Sequence, residues 1–189
     1  MMNKDKRKII FLDIDGVLNG FTLFTHLIYK LFYLIKKEDW LIKHYNVFDV
    51  QRKRFKLLKD IIDKTGAEVV LCSSLRFKIF NVPFEDQPEN CKKISLYLFE
   101  NNIEITDAVP ELDTSYKRED EINMWLISHK DEVSNYIIID DDPSEYPHLG
   151  EKHMVQTSKV SNNEFITGSW LDKSGIKRKH VKKAIEMLK

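Results

Sequence analysis

Asp13 and Asp15 stand with one residue between them at the end of the apolar run in KIIFLDIDGVLNG, residues 8–20. Positions i and i+2 of an extended chain face the same side, so the two carboxylates leave the strand together. Other chemistry-bearing residues follow apolar runs in the same way: Ser73 and Ser74 after EVVLC, and Asp140, Asp141 and Asp142 after YIII. A basic pair, Lys117 and Arg118, precedes an acidic helix start at EDE. Each feature alone is ordinary: Asp-Gly makes turns, Ser-Ser makes caps, and basic pairs face solvent. Gathered at one edge, the carboxylates would raise one another's pKa unless a cation sat among them. An all-oxygen set of this kind suits Mg²⁺.

The elements that must position these residues alternate. Short continuous apolar runs predict strands over 8–13, 68–73 and 136–140, with a weaker one over 153–157. Such runs fit strands buried on both faces. Helical spacing appears over 50–65, 89–101, 118–130 and 177–188. The first places Phe55, Leu58 and Ile62 on one stripe, with Asp49 as a candidate N-cap and Gly66 just past its end. The third turns Ile122, Trp125 and Leu126 inward, and the fourth Val181, Ala184, Ile185 and Leu188. Strands alternating with helices predict a parallel sheet covered on both faces, a fold that gathers ligands at the carboxyl ends of its strands.

Composition narrows the classes. The chain has 189 residues, 42% apolar and 32% charged, which fits one domain (1–189) and excludes a disordered polypeptide. Thirty basic and thirty acidic residues cancel, so global charge selects neither nucleic acid nor membrane. Locally, basic residues cluster at 4–8, 52–59 and 177–183; a solvated face or a phosphate-backbone track both fit such runs. Cys72 and Cys91 lack metal or redox spacing, and the six histidines show no metal spacing, which points to a reduced, cytoplasmic protein. The apolar segment 21–35 is interrupted by His26 and Lys30 and is short for a bilayer span, so no membrane partner is expected. It reads as a packed helix in an insertion, 20–48, after the first strand. Nothing in the sequence calls for an obligate protein partner.

The ordered motifs DxDGxxN, an apolar strand ending in Ser, a basic residue, and an apolar strand ending in DD resemble the haloacid dehalogenase (HAD) superfamily of phosphohydrolases. FLDIDGVLN, VVLCSSLR, REDEINMWL and YIIIDDD further resemble the HAD domain of Swiss Army Knife RNA repair proteins. The resemblance implies a three-layer Rossmann-like (HAD-like) α/β sheet with a small cap or flap insertion at about 20–48, and a phosphatase working through an aspartyl-phosphate. It makes Asp13 the nucleophile and Asp15 the general acid and base, with Gly16 letting the chain turn away. Ser73 would bind a phosphoryl oxygen, and a cation, Arg118 in preference to Lys117, would neutralise the transferring phosphate. The implied metal site holds Mg²⁺ through Asp13, the Asp15 backbone carbonyl, Asp140 and Asp141. Ser74, Arg76, Lys117 and Gly16 are candidate substrate contacts. The substrate implied is a phosphorylated one, with RNA or DNA ends, the 3′ end first, as the specific expectation. A metabolite or nucleotide phosphatase, and a phosphate-binding module without turnover, are the alternatives.

Overall fold

Continuous apolar runs become strands buried on both sides. The computed structural model describes residues 6–20, 49–113, 117–157 and 175–189, together with 31, 34 and 35. In chain order, the strands are β1 (Arg7–Leu12), β2 (Asn19–Gly20), β3 (Asp49–Val50), β4 (Glu68–Leu71), β5 (Ile105–Ala108), β6 (Val133–Asp140) and β7 (Met154–Gln156). The helices are α1 (Arg52–Thr65), α2 (Arg76–Ile79), α3 (Glu89–Glu100), α4 (Arg118–Ser128), α5 (Gly150–His153) and α6 (Arg178–Met187). Five strands form a sheet in the order β5-β4-β1-β6-β7, and every pairing in it is parallel. A short antiparallel pair, β2 with β3, brings Asn19–Gly20 beside Asp49–Val50. The cap expected between them, over 20–48, lies outside the described residues apart from its first position and 31, 34 and 35.

Alternation along β1 assigns the layers. Ile10 and Leu12 pack with Phe55, Leu58 and Ile61 of α1, Cys91 and Ile94 of α3, and Val181 and Ala184 of α6. Ile9 and Phe11 point to the other side, where Ile122 and Trp125 of α4 and Tyr146 cover them. Phe11 meets the Trp125 ring edge-on at 5.3 Å. The result is an α/β/α sandwich of three layers, as the alternation of elements predicts.

Several boundaries differ from the sequence expectation. Asp49 does not cap α1: it belongs to β3, and Gln51 takes the N-cap position without a side-chain hydrogen bond. Ile61 rather than Ile62 is the fully buried member of the α1 stripe, Ile62 being half-buried. The second strand stops at Leu71, leaving Ser73 in the loop beyond it. β5 was not expected, because ITDA is short, carries two polar residues and sits at a sheet edge where no alternation is enforced. Gly66 ends α1 as expected, in the left-handed region (φ 68°), with its N–H donating to the Ile62 carbonyl.

Candidate active site

Parallel pairing sends all five strand ends to one edge. There Asp13 follows β1, Ser73 lies two residues past β4, and Asp140 closes β6. Asp13, Ser73 and Asp140 are all buried. Ligand oxygens of Asp13, Asp140 and Asp141 all lie within 4.8 Å of one another. Gly16 makes this packing possible: its φ is +73°, and a Cβ there would overlap the Asp141 carboxylate.

Arg118, the first residue of α4, reaches back across the edge. Its Nη1 donates to Asp13 Oδ1 at 2.7 Å and to Asp140 Oδ2 at 3.4 Å. Burial opposes its charge, but Asp13 and other neighbours outweigh that and push its pKa up. Lys117 turns elsewhere, donating from Nζ to the Ser144 carbonyl at 2.7 Å. Of the basic pair, Arg118 is therefore the one brought to the carboxylates.

Asp13 remains short of positive charge even so. Burial first, and then the Asp140 carboxylate, raise its pKa to about 7 against the opposing effects of Arg118 and a Ser73 hydrogen bond. Three clustered carboxylates that one guanidinium does not compensate fit a hard divalent cation.

Asp15 stands apart from that trio. Asn19 Nδ2 donates to Asp15 Oδ1 at 2.5 Å, and Asn19 Oδ1 accepts from the Gly16 N–H at 2.9 Å. This closes the DxDGxxN loop and holds the Asp15 side chain out of the carboxylate cluster.

Arg76 is buried and committed to the scaffold. It donates to the Val109 carbonyl (3.0 Å) and the Ser73 carbonyl (3.0 Å), and pairs with Glu121 (2.8 Å). Its guanidinium ties the β4 and β5 loops together and forms part of the wall of a cleft of about 280 Å³ beside Arg118. Ser74 is exposed and lines the same cleft, with Phe77, Glu111, Asp113 and Glu145.

Two contributors had no distinct sequence signal. Tyr146 is buried, and its hydroxyl donates to Asp140 Oδ2 at 2.5 Å. Burial and the nearby Cys72 and Asp140 drive its pKa up, so it stays a donor. A lone Tyr in the turn PSEYPHL does not announce that contact. Glu119 is buried one position past Arg118 and accepts from the His148 and Leu149 N–H groups (2.8 and 2.9 Å). That fastens the start of α4 to the segment after β6, although acidic residues at a helix start are usually solvated.

Histidine takes no part in the cluster among the described residues. None of the described helices is long and apolar enough to cross a membrane.

Comparison with curated proteins and with solved structures returns no match. Residues 9–161 match the family model described as the HAD domain in Swiss Army Knife RNA repair proteins, which supports a hydrolase of the HAD phosphatase type and a divalent-metal site. The matched span runs from β1 through β7 and takes in all the strand-end residues described above. The chain belongs to the family of HAD domains found in Swiss Army Knife RNA repair proteins.

Proposed function

We propose that this protein is a Mg²⁺-dependent phosphomonoesterase that works through an aspartyl-phosphate on Asp13 and removes terminal phosphates, the 3′ phosphate first, from RNA. The observation that carries the reading is the pairing of Arg118 with both Asp13 and Asp140 while Asn19 holds Asp15 separately. One carboxylate is thereby kept dry with a guanidinium against it for attack, and the other is more exposed and hydrogen-bonded for proton transfer. The match to a family of RNA repair domains supports the choice of substrate.

In the proposed reaction an Asp13 carboxylate oxygen attacks phosphorus and the bond to the leaving oxygen breaks. Asp15 gives its proton to that oxygen. Asp15 then takes a proton from water as the water attacks the same phosphorus, releasing inorganic phosphate and restoring Asp13. Arg118 donates to the transferring phosphoryl oxygens, and the Ser73 hydroxyl to another. A divalent cation held by Asp13, Asp140, Asp141 and the Asp15 carbonyl supplies further neutralisation of phosphoryl charge. The free, buried Cys72 and Cys91 suit a reducing, cytoplasmic setting.

A second reading, a metabolite or nucleotide phosphatase, is favoured by the small cleft beside Arg118. At about 280 Å³ it accommodates one compact phosphorylated head. A screen with Mg²⁺ across metabolites, mononucleotides and oligonucleotides phosphorylated at the 3′ or 5′ end separates the two. Preferred release from 3′-phosphorylated RNA is expected. Release from sugar or nucleotide phosphates with none from oligonucleotides selects the second reading, and no release from any substrate leaves a binding module.

A further inference from the structure

Two of the basic clusters, distant in sequence, meet in space. α1 and α6 pack side by side, and a groove of about 510 Å³ runs between them. Lys56 and Lys64 line it from α1, Arg178 and Lys182 from α6, above a floor that includes Leu57 and Val181. Among the described residues the one carboxylate in the groove is Asp60, which pairs with Lys64 at 2.8 Å. Among the described residues lining the groove, no carboxylate is left to pair with Lys56, Arg178 and Lys182, and all three side chains are exposed.

The groove starts at the catalytic edge. Arg54, near the start of α1, is buried and donates to the Asn19 carbonyl. Just before α6, the Ile176 N–H donates to the Val17 carbonyl at 3.0 Å, and Gly175 (φ +75°) lies against the Arg54 guanidinium. Both helix starts are thus clamped to the loop that carries Asp15 and Gly16. At the other end of α6, Asn135 Nδ2 donates to the Met187 carbonyl, on the amino-terminal side of the sheet. From Lys56 to Lys64 the wall extends about 12 Å at the helical rise.

The cleft beside the site has the reverse balance. The cleft beside Arg118 carries Glu111, Asp113, Glu121 and Glu145 against Arg76 and Arg118. A polyanion whose end lies at Asp13 is repelled on that side and attracted on the other. The zero net charge of the chain conceals this separation.

We propose that the α1/α6 groove is the track for a single RNA strand, its phosphates held by Lys56, Arg178 and Lys182 while its end enters the site. The substrate class rests on the RNA reading above. The binding itself is separable from turnover, because a strand without a terminal phosphate contacts the groove equally well.

The experiment is fluorescence anisotropy with the full chain and a labelled single-stranded RNA about a dozen nucleotides long, ending in hydroxyls and titrated across KCl. Three neutralised phosphates give a log–log salt slope of about −2. The triple reversal K56E/R178E/K182E should raise Kd by about tenfold or more at low salt and remove most of that slope. Its kcat for p-nitrophenyl phosphate should match wild type, which also certifies its fold. K56Q/R178Q/K182Q should show the same trend more weakly and serves if the reversal does not fold. A matched reversal at exposed cations elsewhere, K6E/K130E/K152E, should change Kd by less than about threefold.

Wild-type affinity in the groove triple overturns the proposal, as does equal weakening in the control triple. Absence of RNA binding by wild type overturns it as well, and so does tighter binding of a polyglutamate peptide than of RNA. RNA binding that follows the groove residues in a protein inert towards every phosphomonoester overturns the phosphatase reading and leaves the track standing.

Discussion

Asp13 works against the stability of the metal-free fold. Its pKa is 3.8 when unperturbed and about 7 in the folded chain, because burial and Asp140 disfavour the charged form. The folded state therefore holds the proton more tightly, and the stability it contributes below pH 4 is lost as pH rises through 7. Asp13→Asn should abolish turnover. In excess chelator it should also raise Tm relative to wild type by an amount that grows from pH 4 to pH 8. A gain of about 2 kcal/mol corresponds to ~4–8 °C, and a scanning calorimetry series across that range checks it. Tyr146 acts one bond further out. It shares Asp140 Oδ2 with Arg118, while Oδ1 accepts from the Asp142 N–H at 2.8 Å, so the three contacts together fix how the carboxylate is presented to a cation. Tyr146→Phe should weaken Mg²⁺ affinity by about 10–100-fold, read as the Mg²⁺ dependence of p-nitrophenyl phosphate hydrolysis, while kcat at saturating Mg²⁺ changes less.

Among the elements, α1 shows why charge in a sequence does not locate charge on a surface. Arg52, Lys53 and Arg54 read as one basic run, but the helix sends them to different places. Arg52 pairs with Glu100, Lys53 is exposed, and Arg54 is buried beneath the Asn19 carbonyl. Arg54→Ala should lower Tm by ~4–12 °C, since a buried charged donor and the volume of its side chain are lost together. Lys53→Ala should leave Tm unchanged in the same melt. Arg76 makes the same point within the site: SSLR places a cation beside Ser73, and only the fold shows it spent on the Val109 and Ser73 carbonyls and on Glu121. Strand-end residues were legible because a parallel sheet buries its strands and releases the chain at one edge, so Asp13, Ser73 and Asp140 announce themselves by following apolar runs. Contacts made across the edge left no such mark. Tyr146 comes from a turn, Asn19 turns back onto its own loop, and β5 pairs through its backbone at an edge where its side chains are unconstrained.

Across the whole molecule, pH sensitivity has a second source, of the opposite sign, on the basic side. His180 is buried in α6, its Nδ1 accepts from the Lys177 N–H at 3.1 Å, and burial together with Lys179, Lys177 and Lys183 lowers its pKa from 6.5 to about 4. The unfolded chain takes up that proton first, so stability present above pH 6.5 is lost as pH falls towards 4. His180→Asn should flatten that part of the Tm profile, and an unaltered acid limb would remove His180 as its source. The central claim concerns the strand-end carboxylates, where Asp13 is to carry the phosphoryl group and Asp15 to move the protons. It is tested most directly by intact-protein and peptide mass spectrometry of acid-quenched Asp15→Asn after mixing with p-nitrophenyl phosphate and Mg²⁺. This leaving group departs without a general acid, whereas attack of water on the acyl phosphate still needs Asp15. One added phosphoryl group is expected, on the peptide containing Asp13 and labile to hydroxylamine, and none in Asp13→Asn. Phosphate release by wild type with no phosphorylated protein in Asp15→Asn, or with the label on another residue, would contradict it.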